Sequence, residues 1–175
     1  MPISLVDIQP PDETLLVEML FLALHVPPGY PPFSREILRE PEIARYAAKW
    51  GRPGDEGVFA REGDKTLGAA WMRLWPEPAQ AGYGFIAPDI PELSMAVLPE
   101  RRHQGIGTAL LGEMIARAGL RHPALSLSVS STNPAVHLYQ RFGFQITAKT
   151  PDPHGFSYTM IKRFRQAVEG DARGR

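Results

Sequence analysis

The chain has 175 residues, of which 43% are hydrophobic and 22% are charged, and its 19 basic residues balance its 19 acidic residues. This length and composition predict one globular domain with a substantial core, and the balanced charge argues against nucleic acid or an acidic membrane surface as a partner. The absence of cysteine excludes disulfides, thiolate metal sites and a cysteine nucleophile. The apolar run from Leu15 to Val26 contains Glu18 and is too short to span a bilayer, so we expect a cytoplasmic protein.

The first third of the chain is predicted to form two helices. Apolar residues recur at three- and four-residue spacing over residues 12–25, and the Pro27-Pro28-Gly29 cluster ends that pattern. Ser34 is placed to cap a second helix over residues 35–50. The loop between the two helices is rich in proline and aromatic residues, which makes it stiff.

The middle of the chain is predicted to form an antiparallel hairpin. Residues 57–61 and 66–74 have the composition of strands, and the turn Glu62-Gly63-Asp64-Lys65 separates them. Residues 76–91 follow as an irregular, proline-rich insertion. Such a length is unusual for a simple connection and is typical of a functional loop.

Strands and helices alternate in the rest of the chain. Residues 125–130 alternate apolar residues with serine, as in a strand with one buried face. Asn133 and Pro134 are typical of a helix N-cap and first helical position. The predicted elements are a strand at 93–97, a helix from 106 to about 119, a strand at 125–130, a helix from 133 to 143, and strands at 144–148 and 156–161. Residues 1–164 thus form one predicted domain, and residues 165–175 form a polar, flexible tail.

A glycine-rich turn stands between the strand at 93–97 and the helix that follows it. The sequence from Arg101 to Gly107 reads RRHQGIG, and a helix N-terminus with glycines can bind an anionic ligand through free backbone N–H groups. Leu110 stands where a dinucleotide-binding fingerprint needs its third glycine, and the Gly-Lys-Ser/Thr of a P-loop is missing. The turn alone leaves two alternatives: a diphosphate site, or a tight strand-to-helix turn with solvated arginines.

Two motifs resemble those of the GNAT superfamily of N-acetyltransferases. The first, Val97-x-Pro99-x-x-Arg102-x-x-Gly105-Ile106-Gly107-x-x-Leu110, is similar to the acyl-CoA signature of that family. The second, about 30 residues later, comprises Asn133, Ala135, Leu138, Tyr139, Gly143 and Phe144. The order of the predicted elements also resembles that fold over nearly all of residues 1–164.

The resemblance implies an α/β (α+β) GNAT-like fold: a mixed, largely antiparallel sheet of about six to seven strands, flanked by about four helices, with splayed central strands. It further implies that backbone amides of the glycine turn bind the diphosphate of acetyl-CoA as co-substrate, and that the splayed strand contacts its pantetheine arm. No metal is expected. The implied cofactor-binding residues are Met95, Ala96, Val97, Arg102, His103, Gln104, Gly105, Ile106, Gly107, Thr108, Asn133 and Tyr139.

Attack of an amine on a thioester requires a proton for the sulfur leaving group and a base for the amine. The resemblance implies that Tyr139 supplies the leaving-group proton, because a tyrosine with its usual pKa of about 10 is protonated at neutral pH. Alternatively, Tyr139 only packs beside Ala135 and Phe142. Glu92, at the start of the strand, is the candidate base, and the alternative for it is an exposed strand-end carboxylate. Asp89, His25 and His154 are weaker candidates for the base.

The resemblance places the acceptor pocket between the first inter-helix loop, the segment before the glycine-turn strand, and the final hairpin. These regions contribute mainly aromatic residues and few acidic ones, which argues against a polyamine and favours a small or partly apolar amine, an amino-acid derivative or a peptide N-terminus. The predicted pocket residues are Tyr30, Phe33, Tyr83, Phe85 and His154.

These inferences predict an acetyl-CoA-dependent N-acetyltransferase that works by direct transfer in a ternary complex, since no cysteine can carry the acyl group. The alternative is a non-catalytic module that senses acyl-CoA. A monomer and a homodimer are both compatible with the sequence.

Overall fold

The structure is a computed structural model that describes residues 2–165. The predicted flexible tail therefore lies outside the described residues, except for Arg165. No helix within residues 2–165 has the length and apolar character needed to cross a membrane.

The described residues form seven strands and four α-helices, as the resemblance predicts. The strands are β1 (Ser4–Asp7), β2 (Glu56–Glu62), β3 (Lys65–Arg73), β4 (Glu92–Val97), β5 (Ala124–Ser130), β6 (Gln145–Asp152) and β7 (Gly155–Arg163). The helices are α1 (Glu13–Ala23), α2 (Pro41–Ala44), α3 (Ile106–Arg121) and α4 (Ala135–Arg141). Short 3-10 helices cover Pro10–Asp12, Arg35–Arg39, Pro78–Gln80 and Pro99–Arg101.

One sheet carries the whole fold, with the strand order β1-β2-β3-β4-β5-β7-β6. Only β4 and β5 pair in parallel, and every other neighbouring pair of described strands is antiparallel. The mixed, largely antiparallel sheet that the resemblance implies is confirmed.

Helices cover both faces of the sheet, so successive residues of a central strand enter different cores. Ala70 and Met72 of β3 belong to the core that includes Leu110 and Met114 of α3. Ala69 and Trp71 of β3 belong to the core that includes Leu16 of α1. This alternation explains why β3 reads as a nearly continuous apolar run.

The predicted continuous helix over residues 35–50 is wrong. Ser34 does cap a helical turn, because its Oγ accepts the N–H of Glu36 at 3.3 Å. The turn ends at Glu40, which has an extended ψ of 126°, and the four-residue α2 begins at Pro41. The cause is Pro41, because a proline disfavours the helical conformation in the residue before it. The sequence analysis also missed β1, a four-residue edge strand that pairs with β2.

Candidate functional site

β4 and β5 are neighbours in the sheet, yet they are joined only near their beginnings. Their parallel pairing contains one residue pair, Glu92 with Ser126, and the Ser126 N–H donates to the Pro91 carbonyl at 3.0 Å. Further along, β4 pairs with β3 and β5 pairs with β7. The two central strands therefore enclose a V-shaped cleft that opens toward their carboxyl ends.

The register decides which backbone groups of β4 point into this cleft. Successive residues of a strand direct their backbone N–H and C=O groups to opposite sides. Because the Pro91 carbonyl faces β5, the backbone groups of Met95 and Val97 face the same side. The side chain of Arg102 confirms this direction, since its Nε donates to the Val97 carbonyl at 3.3 Å. Ala96, paired with Ala69, turns its backbone groups toward β3. The inclusion of Ala96 among the cleft contacts is corrected accordingly.

At the carboxyl end of β4, the glycine turn carries a row of free backbone donors. The N–H groups of residues 103–108 donate to no protein acceptor within the described part of the chain, and the first satisfied N–H is that of Ala109, which donates to the Gly105 carbonyl at 3.0 Å. Six consecutive free N–H groups at the start of a 16-residue helix suit an anion.

The conformation of the turn is unusual and firmly held. His103 has a φ of 59° and Gly105 a φ of 82°, and such left-handed residues make a concave row of N–H groups. Nothing lies within 4 Å of a Cβ built on Gly105, so glycine is needed there for its φ and not for space. Arg101 links the turn to β2, because it donates two hydrogen bonds to Glu62, at 3.0 and 3.1 Å, and one to Gln104, at 3.1 Å.

Gly107 faces the cleft. A Cβ on this residue would lie 3.5 Å from Leu138 and 3.8 Å from both Met95 and Val97, which is ordinary van der Waals contact. A larger side chain there would extend between β4 and α4, into the entrance of the cleft.

Tyr139 follows Leu138 on α4 and belongs to the core that α3 shares with the sheet. It is 7% exposed, and its ring meets that of Phe144 edge-on, with 5.8 Å between the ring centroids. Burial raises the pKa of Tyr139 to about 12, so the hydroxyl keeps its proton throughout the neutral range. The packing alternative and the proton-donor role both fit this environment, because a protonated phenol is polar only at its tip.

Glu92, at the opposite end of β4, is buried, so the alternative of an exposed strand-end carboxylate is wrong. It is 2% exposed, and its Oε1 accepts the Tyr46 hydroxyl at 2.8 Å and the Gly84 N–H at 2.9 Å. Its Oε2 accepts the Trp75 Nε1–H at 2.8 Å. The Tyr46 hydroxyl in turn accepts the Tyr83 N–H at 2.7 Å. We call Glu92, Tyr46, Trp75 and the N–H groups of Tyr83 and Gly84 the Glu92 network.

Burial raises the pKa of Glu92, and the three hydrogen bonds and the charge of Arg45 oppose that shift without cancelling it. The carboxylate also fixes the irregular insertion over the base of the cleft. A Cβ on Gly84 would stand 2.6 Å from the carbonyl carbon of Leu127 and 2.7 Å from the Ser128 nitrogen, so Gly84 touches the β5 backbone where the cleft begins.

The cleft, the free amides and the motif residues coincide with a match to a family model. Residues 54–146, more than half of the chain, match the model described as the acetyltransferase (GNAT) domain. The chain belongs to the GNAT family of acetyltransferases. None of the curated proteins matches the sequence.

Solved structures share the GNAT fold along nearly the whole chain. A GNAT-family acetyltransferase from Streptococcus pneumoniae is 21% identical, with a TM-score of 0.68 over 94% of this chain and 100% of that chain. The ribosomal-protein-S18-alanine N-acetyltransferase of Escherichia coli is 18% identical, with a TM-score of 0.66 over 97% and 98%. A Salmonella typhimurium protein solved with its cofactor acetyl-CoA is 19% identical, with a TM-score of 0.68 over 98% and 99%.

In this GNAT chain, three of the five predicted acceptor-pocket residues come together. Tyr30, Phe33 and His154 line a pocket of about 270 Å³, walled on its other sides mainly by prolines. The rings of Tyr30 and His154 are 4.0 Å apart between centroids. This pocket joins the loop after α1 to the turn between β6 and β7.

Tyr83 and Phe85 do not line that pocket. Tyr83 is 64% exposed, and the segment that carries both residues packs against Glu92 and β5 through Gly84. Asn133 acts as a cap, because its Oδ1 accepts the Ala135 N–H at 2.9 Å. His25 contacts the residue before Asn133, since its Nε2 lies 2.9 Å from Thr132 Oγ1.

The sequence analysis missed Tyr46 and Trp75 as functional residues. Tyr46 lies within residues 35–50, where a continuous helix was predicted and does not form, and Trp75 lies at the edge of the irregular insertion. A buried glutamate needs donors, and that requirement, together with two aromatic residues that carry a donor, was the available signal.

Proposed function

We propose that this chain is an acetyl-CoA-dependent N-acetyltransferase that transfers the acetyl group to a primary amine by direct attack in a ternary complex. The observation that carries the proposal is the row of free N–H groups at residues 103–108, which opens beside a splayed pair of strands. A neighbour of the same fold was solved with acetyl-CoA. A diphosphate gains hydrogen bonds and a favourable helix dipole at such a position.

The proposed binding mode divides the co-substrate between loop and cleft. The backbone from His103 to Thr108 holds the diphosphate, with Arg102 and Gln104 fixing the turn. The backbone groups of Met95 and Val97 bind the pantetheine arm, and Asn133 borders the cleft mouth. The thioester then reaches the base of the cleft near Gly84.

The chemistry requires two proton transfers. The amine nitrogen forms a bond to the thioester carbonyl carbon, the carbon–sulfur bond breaks, and the departing sulfur takes the proton of Tyr139. Glu92 accepts the proton released by the amine, relayed by water, and Oε2 is the accepting oxygen because it binds one donor whereas Oε1 binds two. Gly82 packs against Oε2, so that a Cβ on this residue would collide with that oxygen. The raised pKa of Glu92 favours such an acceptor.

The proposed acceptor is a small or partly apolar amine, an amino-acid derivative or a peptide N-terminus. The pocket of Tyr30, Phe33 and His154 is rich in aromatic and proline side chains and has no acidic residue in its lining, which disfavours a polycation. One neighbour of the same fold is named for an alanine of a ribosomal protein, which supports a peptide acceptor.

Thermal shift and thiol release test the proposal together. Acetyl-CoA at 100 times its dissociation constant should raise the free energy of unfolding by about 2.7 kcal/mol, whereas NADH and ATP at equal concentration should not. Release of free CoA thiol in the presence of an amine library then distinguishes an enzyme from the acyl-CoA sensor, which would bind without turnover. No rise in melting temperature at millimolar acetyl-CoA would overturn both readings.

A further inference from the structure

A second pocket opens near the amino end of β4, far from the glycine turn. It has a volume of about 320 Å³ and is lined by Arg45, Arg52, Trp75, Glu77, Gln80 and two prolines. Trp75 follows the end of β3 and is bonded to Glu92, the first residue of β4. The glycine turn lies beyond the other end of β4, and six residues of strand separate the two ends by roughly 17 Å.

The two arginines keep most of their hydrogen-bond donors free. A guanidinium carries five N–H groups. Arg45 uses two of them, to the carbonyls of Pro41 at 3.0 Å and Ala81 at 2.7 Å, which leaves three. Arg52 uses one, to the Leu74 carbonyl at 3.4 Å, which leaves four. Within the described residues, these donors meet no other side-chain oxygen at hydrogen-bond distance.

The buried carboxylate of Asp55 lies close to the Arg52 guanidinium but forms its hydrogen bonds with other groups. Asp55 binds Arg73 through both oxygens, at 2.9 and 2.7 Å, and it also accepts the backbone N–H groups of Gly51 and Arg52. Its oxygen is 3.9 Å from Arg52 Nε, too far for a hydrogen bond. Burial and the charge of Arg73 lower the pKa of Arg52, as expected where positive charge is incompletely balanced.

The composition of the lining restricts the ligand. Among the side chains that line the pocket, two guanidinium groups face one carboxylate, that of the exposed Glu77, so the lining itself carries a net positive charge. Trp75 and the two prolines add apolar walls, and Arg52 lies over the Trp75 ring at 5.4 Å from its centroid. A monoanion with an apolar body fits this lining better than a phosphate dianion, and a planar carboxylate matches the guanidinium fork.

We propose that the pocket of Arg45, Arg52 and Trp75 binds a carboxylate attached to a small apolar group. The carboxylate belongs either to a free acid or to the amine acceptor itself, and in the second case the acceptor binds here and not in the pocket of Tyr30, Phe33 and His154. In both cases the ligand contacts the tryptophan whose indole N–H holds Glu92, which connects the pocket to the base of the cleft.

The indole N–H of Trp75 gives a direct readout that needs neither acyl-CoA nor turnover. Two-dimensional ¹H–¹⁵N spectra of the full chain are recorded during titration with sodium benzoate, with sodium chloride at equal ionic strength and neutral benzamide as comparators. The Trp75 signal is assigned by comparison with Trp50→Phe and Trp71→Phe. The expected result is a saturable shift with benzoate alone. A linear drift, or the same shift with chloride or benzamide, overturns the proposal.

Variants on the pocket wall sharpen this test. Arg52→Gln and Arg45→Gln should each weaken benzoate binding about 10-fold or more, the value of one hydrogen bond to a charged group, whereas Arg39→Gln on the nearby exposed turn should leave it unchanged. Glu77→Gln removes the opposing charge from an exposed site and should tighten binding about two- to fivefold, as expected for an exposed charge pair. Unaltered binding in Arg52→Gln, Arg45→Gln and Glu77→Gln, with well-dispersed spectra, would contradict the assignment.

The source of the carboxylate is distinguished by kinetics. If the acceptor supplies it, 4-(aminomethyl)benzoate should be acetylated with a lower KM than its amide, benzoate should compete with it, and Arg52→Gln should raise KM without lowering kcat. If the ligand is a free acid, benzoate should still bind in the presence of the acceptor. Failure of the transferase proposal would appear as missing stabilisation by acetyl-CoA, and failure of the pocket as a missing Trp75 shift.

Discussion

The two ends of β4 recognise charge in opposite ways. At the carboxyl end, the glycine turn offers free backbone N–H groups, four of them on exposed residues. At the amino end, the charge belongs to the protein: Glu92 is buried, and three donors from separate parts of the chain are bound to it.

This difference separates binding from stability. Donors without an acceptor in the protein contribute free energy only when a ligand arrives, whereas a buried carboxylate with three hydrogen bonds contributes to the fold itself. Changes at the turn should therefore alter CoA affinity at constant stability, and changes in the Glu92 network should alter stability at constant CoA affinity.

The largest effect is expected at Tyr139, the proposed proton donor, which belongs to neither end. Tyr139→Phe keeps the ring that packs on Phe144 and removes the hydroxyl. We expect turnover to fall roughly 10²–10⁴-fold, as for loss of a general acid, with a small change in the dissociation constant of CoA. Because the pKa of Tyr139 is about 12, the activity of the parent should not lose this acid at any pH below about 11.

Steady-state kinetics with any identified amine acceptor and calorimetric CoA binding provide the measurements. Tyr158→Phe, a half-buried tyrosine of β7, is the matched control. Unchanged turnover in a folded Tyr139→Phe variant, with chemistry shown to be rate-limiting, would return Tyr139 to a packing role.

The next largest effect is expected at Gly107, which tests the binding end alone. Gly107→Val should weaken CoA binding roughly 100-fold, which corresponds to two hydrogen bonds to a charged group at about 1.5 kcal/mol each. Folding should be affected much less, since a Cβ on Gly107 meets only ordinary contacts. Gly112→Val, on the same helix and with Phe142 3.9 Å from its Cβ position, controls for the general effect of replacing a glycine of α3 by a branched residue. Equal losses of affinity in both variants would remove Gly107 from the co-substrate site.

The two ends of β4 also differ in how much of each could be predicted from the sequence. The glycine turn could be located from sequence because its proposed role depends on neighbouring backbone atoms, so the spacing of residues along the chain reports their geometry directly. The Glu92 network combines residues 46, 75, 83, 84 and 92, and no local sequence pattern predicts that these residues meet. Even the burial of Glu92 depends on where the irregular insertion folds back.

The fold shows the same limit. The hairpin, the strand β5 and the helices α1, α3 and α4 follow from periodicity and capping, because each is a local preference reinforced by burial. The segment after Ser34 does not follow, since its apolar residues suit a helix whereas Pro41 interrupts it. Tertiary contacts determine the conformation of that segment. The buried Arg73 donates hydrogen bonds to the carbonyls of Arg45 and Ala48, at 2.7 and 2.8 Å.

A smaller effect is expected from Glu92→Gln, which tests the stability end. An amide has one acceptor oxygen and an NH₂ group, so at least one buried donor among Tyr46, Trp75 and Gly84 would lose its acceptor. We expect the free energy of unfolding to fall by about 2 kcal/mol, measured by urea denaturation. Glu113→Gln, an ion-paired glutamate on α3, is the control, with an expected change below about 1 kcal/mol. A CoA affinity that fell along with stability would break the proposed separation of the two ends.

The smallest effect expected is a pH dependence of stability that originates at Glu92. Burial raises the folded-state pKa of Glu92 above its ordinary value, so between the two values the folded protein binds more protons than the unfolded chain. The contribution of Glu92 to stability is therefore greatest below the unfolded pKa and is lost as pH rises through the folded pKa. Urea denaturation of the parent and of Glu92→Gln at several pH values from 4 to 8 isolates this contribution, because the other titrating groups are common to both. The excess stability of the parent over the variant should shrink as pH rises through this window; an excess that grows with pH would mean that the three hydrogen bonds outweigh burial and lower the pKa of Glu92.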